Sequence, residues 1–166
     1  PLYGELALGE RLRTLLLSMT VATPSFQHLM AANALHVDVP LNFRGDVVVG
    51  EGDSVDLKKY GSRIFVDAAR IFALSSGTKA VSTAERLRQA GSLVGLPASE
   101  IAAVDAAFSH ILRLRLNHQA ALGAGASAAG HGVPLAALHE VDRAILKEAL
   151  KHARRLQQRL KLNYEL

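Results

Sequence analysis

Apolar side chains recur along most of this chain every three or four residues, the spacing of helices that turn one face to a core. The stretch from Tyr3 to Met19 carries Leu6, Leu12, Leu15, Leu16 and Met19 in such a stripe. Thr23-Pro24 reads as an N-cap followed by proline at the first helical position, opening a helix through Phe26, Leu29 and Met30 to about Leu35. The pattern then changes. His36 to Val55 holds Pro40, three glycines and the run Val47-Val48-Val49, which predicts an extended or hairpin-like excursion.

The helical period returns from Asp56 to Ser75, interrupted near Gly61. Ile64, Phe65, Ala68, Ile71 and Phe72 fall on one side, and Arg63, Asp67 and Arg70 on the other at a spacing that allows an ion ladder. Gly77 is placed to end this helix, and Ser82-Thr83-Ala84-Glu85 is a capping box that starts another running to about Ala90, closed by Gly91 and Gly95-Leu96-Pro97. A longer helix is predicted from Ser99 to Leu122. Gly123 to Gly130 is built from small residues that cannot pack a core and reads as a flexible loop. The last and longest helix, Leu135 to Leu162, has Leu138, Val141, Ile145, Ala149, Leu156 and Leu160 on its apolar face. Arg143, Lys147, Lys151, Arg154 and Lys161 form a basic stripe nearly opposite.

One conflict stands out within these patterns. At about 100° per residue, Val104, Phe108, Ile111, Leu112 and Leu122 share a side of the Ser99 helix, and Arg115, His118 and Gln119 fall within the same arc. Arg113 and Asn117 point away from it. An unpaired guanidinium is costly to bury, so Arg115 must meet an acidic partner such as Asp67, Glu85 or Asp142, or line a groove that receives an anion.

Composition narrows the fold. The 166 residues suit one core, and 49% apolar content can fill it, while 5% aromatics and abundant Ala and Leu favour packed helices over a sandwich of strands. We therefore expect a mainly α protein, a four- or five-helix bundle with a small β excursion near residues 41–50. The absence of cysteine excludes disulfides, zinc–thiolate sites and a thiol nucleophile. It also fits a cytoplasmic setting. No apolar run approaches the ~18 residues of a membrane span, and the start Pro-Leu-Tyr-Gly reads as a chain cut from something longer.

Catalytic signatures are missing. His139-Glu140 lacks a second histidine at position 143, which is arginine, and the other histidines do not converge at metal-ligand spacing. The sequence holds no Gly-x-Ser-x-Gly elbow, no phosphate loop, no Gly-x-Gly-x-x-Gly and no Asp-x-Asp pair for magnesium. The net charge of +4 permits an anionic partner. Nucleic acid is disfavoured, because no aromatic platform accompanies the basic stripe.

Five short motifs, in order and spacing, resemble a known family: Asp56-Leu57-Lys58; Val66-Asp67-Ala68-Ala69-Arg70 with Ala73-Leu74; Ser82-Thr83-Ala84-Glu85-Arg86-Leu87; Leu112-Arg113-Leu114-Arg115 with His118-Gln119; and Leu146-Lys147-Glu148-Ala149-Leu150 leading to Leu156-Gln157. Across about residues 40–162 the chain resembles the nucleotidyltransferase substrate-binding domain. That family is the C-terminal helical part of bacterial signal-transduction proteins that also carry CBS or cyclic-nucleotide-binding domains, and is similar to the uridylyltransferase of the PII signal protein.

The resemblance implies a bundle beside a nucleotidyltransferase catalytic domain whose paired aspartates, magnesium and nucleoside triphosphate lie upstream, with no cofactor in this chain. Residues 1–55 would be the tail of that catalytic domain and 56–166 the substrate-binding bundle, not catalytic alone. Arg115, His118 and Gln119 would form its polar floor, Asp67, Arg70, Thr83 and Arg86 its rim, and Lys147 and Arg154 would be available for phosphate. The expected partners are the upstream domain, a nucleotide or a protein substrate, and a second copy of the chain. The alternative is a regulatory or dimerisation bundle that binds no substrate.

Overall fold

The computed structural model describes residues 4–123 and 132–166 and is mainly α, as the periodicity predicts. In chain order the helices are α1 (Leu6–Val21), α2 (Pro24–Ala34), α3 (Arg63–Ser75), α4 (Thr83–Leu93), α5 (Ala98–Leu122) and α6 (Glu140–Tyr164). Two three-residue strands, β1 (Ser54–Asp56) and β2 (Gly132–Pro134), pair antiparallel with Val55 opposite Val133. The tract Gly123–Gly130 lies outside the described residues apart from Gly123, as does Tyr3 at the predicted start of the first helix.

α3 is the axis of the bundle. It buries Ile64, Phe65, Ala68, Ala69, Ile71, Phe72 and Ala73, and it packs on α2, α4 and α6 while α5 closes the far side against α4 and α6. Phe65 meets Phe108 of α5 with ring centroids 5.8 Å apart. Each large side chain buried this completely contributes about 1.5–3 kcal/mol, which makes α3 the element the others organise around. Its end follows from chemistry read in the sequence. Gly77 takes φ +67°, its N–H donates to Leu74 O and the Thr78 N–H to Ala73 O, so the last carbonyls of the helix are satisfied.

One half of the predicted capping box of α4 is present: the Ser82 hydroxyl accepts from the Glu85 N–H at 3.2 Å. The helix runs past the expected stop at Ala90 to Leu93, because Gly91 is buried inside it where α4 touches Ile101 of α5. Pro24 sits at the first position of α2, but the Thr23 hydroxyl does not cap it and instead donates back to Met19 O. The β excursion near 41–50 is a hairpin closed by a bridge between Leu41 and Val47, turning through Gly45 at φ +80°.

Several apolar faces lie elsewhere than the periodicity places them. On α1, Leu6, Leu12, Leu15, Leu16 and Met19 are all exposed, and Leu17 and Thr20 are the buried residues. On α2, Ala31 and Ala34 enter the core while Phe26 and Leu29 face out. α5 buries Val104, Ala107, Phe108, Ile111 and Leu114, leaving Leu112 and Leu122 outside. α6 starts at Glu140 after a short turn, exposes Val141 and Ile145, and buries Leu146, Leu150, Ala153 and Gln157 beside Ala149, Leu156 and Leu160. For α1, α2 and α5 the cause is that apolar residues lie around much of the circumference, so period alone leaves the phase of the buried face open.

Candidate functional site

Immediately before α3 the chain makes one π-helical turn, Lys58–Ser62, in which the Ser62 N–H reaches back five residues to Leu57 O at 2.9 Å. Gly61 lets this turn lie against α5, since a Cβ there would sit 3.1 Å from Ile111 Cγ2. The contact brings buried Ser62 within reach of α5, where Arg115 donates to its Oγ at 2.9 Å. Half-buried Arg115 thus has a neutral hydroxyl as partner, and among the described residues no carboxylate lies within 4.0 Å of it.

Around this guanidinium the π turn, α3 and α5 enclose an open groove of about 520 Å³. Lys58, Lys59, Arg63, Arg70 and Arg115 line it against two carboxylates, Asp56 and Asp67. Both acids are engaged. Asp56 Oδ1 accepts the backbone N–H groups of Lys58 and Lys59, each at 2.9 Å, and Asp67 bridges Arg63 at 3.2 Å and Arg70 at 3.3 Å. The groove therefore keeps an excess of positive charge around a half-buried arginine, an arrangement suited to an oxyanion.

The expected site residues separate into three groups, with His118 and Gln119 outside them. Asp67, Arg70 and Arg115 share the groove. Thr83 and Arg86 lie at the start of α4, where Arg86 Nε donates to Ala80 O at 3.0 Å. Burial, and then the nearby charges of Arg70 and Arg13, push Arg86 below the usual guanidinium range. Lys147 and Arg154 are committed to the hairpin: Lys147 pairs with Asp46 at 2.6 Å, and Arg154 donates to the carbonyls of Leu41 and Asn42. They hold α6 to the Leu41–Val47 turn, and neither lines the Arg115 groove. His118 is half-buried, and Gln119, expected on the floor, is exposed because the buried face of α5 centres on Ile111 and Leu114.

The sequence singles out neither Ser62 nor Lys59, and it leaves the Arg63–Asp67–Arg70 ladder open between a surface ion ladder and the rim to which Asp67 and Arg70 are assigned. The signal for Ser62 was the Gly61 interruption just before α3. Sequence reasoning also missed a second polar cluster. Arg113 lies 2.9 Å from Nδ1 of buried His110, whose Nε2 lies 3.4 Å from Asp142 O. Arg113 also pairs with the Asp142 carboxylate at 3.4 Å, tying α5 to the start of α6. Asp142 is thereby used away from Arg115.

Among the described residues no helix is long and apolar enough to cross a membrane, and no three His, Asp or Glu side chains converge to hold a metal. Residues 24–164 match the family described as "Putative nucleotidyltransferase substrate binding domain". That span is wider than the 40–162 on which the sequence resemblance rests. Comparison with curated proteins and with solved structures finds no match.

Proposed function

The chain belongs to the nucleotidyltransferase substrate-binding domain family, and from that premise we propose that the Arg115 groove holds the anionic part of a substrate for a catalytic domain in the same protein. A substrate-binding domain of a nucleotidyltransferase implies such a catalytic partner. The observation that carries the reading is the state of Arg115, half-buried in a basic groove with a serine hydroxyl as its partner while both acids of the groove are occupied. A hydroxyl partner leaves the guanidinium charge unneutralised and available to an anion.

In this reading the parent is a signal-transduction enzyme similar to the PII uridylyltransferase, with CBS or cyclic-nucleotide-binding domains, working in the bacterial cytoplasm. It transfers a nucleoside monophosphate using magnesium and a triphosphate on upstream aspartates. The described residues of this chain do not fit magnesium, so no residue is assigned to it and no step is routed through it. In this reading residues 1–55 carry the tail of the upstream domain, and the family match beginning at Pro24 favours an earlier end for that tail within this span.

Calorimetric titration of the chain with nucleoside triphosphates tests the groove. We expect Arg115→Gln to weaken binding about tenfold or more, the cost of one charge-assisted contact, with an unchanged urea midpoint. No heat at millimolar nucleotide, or equal affinity in the variant, would overturn the reading. One observation favours a second reading, a regulatory or dimerisation bundle: the exposed leucines of α1 form an apolar face on which a second copy can sit.

A further inference from the structure

Arg13 on α1, Arg70 on α3 and Arg86 on α4 come from three helices to one neighbourhood. Between α1 and the approach to α4 lies a cavity of about 170 Å³, lined by Arg13, Lys79 and Arg86 over an apolar floor that includes Leu17 and Ala73. This is many times the ~10–15 Å³ that a single water requires, enough for a phosphoryl group. Arg13 donates to Lys79 O at 3.2 Å and Arg86 to Ala80 O at 3.0 Å, both of them neutral carbonyls. Among the described residues neither arginine has a carboxylate within 4.0 Å.

A guanidinium carries five N–H donors, and here most are left for something other than the protein. Like charges held close together are destabilising unless an anion neutralises them. Burial adds to this at Arg86, whose hold on its proton is already reduced by burial and by Arg70 and Arg13. Two guanidinium groups lining one cavity match the oxygens and double charge of a phosphate better than a single carboxylate.

We propose that Arg13 and Arg86, with Lys79 at the mouth, form a second oxyanion site that takes a phosphoryl group, separate from the Arg115 groove. Arg70 lines the groove, and its charge also acts on Arg86. The site would let one bundle hold two phosphoryl groups at once, such as those of a polyphosphate and of a second phosphorylated ligand. It does not rest on the Arg115 reading.

Titration of the full chain with inorganic pyrophosphate reads both sites. The expected stoichiometry is two. Arg86→Gln and Arg13→Gln each weaken one equivalent about tenfold or more, Arg115→Gln weakens the other, and Arg86→Lys retains part of the lost affinity. Arg13→Gln lies on peripheral α1 and reads the site even where Arg86→Gln perturbs folding. Competition by ATP, UTP and inorganic phosphate distinguishes a nucleotide's polyphosphate from a free phosphate as the occupant. An unchanged isotherm in both Arg13→Gln and Arg86→Gln, or no pyrophosphate binding at all, overturns the second site. An effect confined to those two variants, with Arg115→Gln silent, overturns the groove reading and leaves this site standing.

Discussion

At the scale of single residues, the described structure settles which polar groups are spent. Arg115 could have been neutralised by Asp67, Glu85 or Asp142, and it meets Ser62 instead, while Asp67 serves Arg63 and Arg70 and Asp142 serves Arg113. His152 is a different case. Its Nδ1 is buried without a hydrogen-bond partner, and burial, followed by repulsion from Arg155, lowers its pKa against weaker opposing pulls from Glu148 and Glu100. The unfolded chain takes up this proton near pH 6.5 and the folded chain takes it up only at lower pH. The stability it contributes is therefore complete above about pH 6.5 and declines as pH falls toward the folded value. Urea midpoints measured at pH 7.5 and 5.5 should fall with pH in the wild type and fall less in His152→Leu. Equal slopes would remove His152 from the account.

At the scale of elements, close approach depends on small residues at two crossings. Gly61 seats the π turn on Ile111 and so positions Ser62 under Arg115, which makes the groove a product of that turn. Gly91 does the same where α4 crosses α5, since a Cβ there would lie 2.9 Å from Ile101 Cγ1. Gly91→Val should cost about 1–3 kcal/mol through overpacking, read as a lower urea midpoint. An unchanged midpoint would mean that Ile101 moves aside freely. The Lys147–Asp46 pair and the Arg154 contacts with Leu41 and Asn42 hold the hairpin to α6, so the basic stripe of that helix acts in part as a clamp.

At the scale of the molecule, α2 to α6 and the hairpin share one core, with Ala31, Val39, Leu41 and Val55 in the same cluster as Phe65 and Leu156. α1 touches that core mainly through Leu17 and Thr20 and lies outside the family match. Replacing Leu12 and Leu15, which are 66% and 56% exposed, by Gln should change unfolding free energy by no more than about 0.5 kcal/mol each. A larger loss would show that α1 contributes to stability beyond its buried contacts. Sedimentation of the same variant tests the second reading: a wild-type dimer that becomes monomeric would favour association through this face, and a monomer in both would count against it.

The amino-acid sequence alone determined where helices begin and end wherever local chemistry decides, as with Pro24 opening α2, the Ser82 cap of α4 and Gly77 closing α3. The motifs around Asp67, Arg86, Arg115 and Leu150 were also sufficient for the family. The faces were another matter. Leu12 and Leu114 look equivalent in a periodic pattern, yet one is exposed and the other buried, because a helix rich in leucine and alanine can turn several arcs inward and neighbouring helices choose among them. The candidate sites needed tertiary structure for the same reason. Ser62 and Arg115 are 53 residues apart, and Arg13 and Arg86 sit on different helices. Their meeting is fixed by how α1, α3, α4 and α5 cross, a geometry set by side-chain packing between segments and carried by no local pattern.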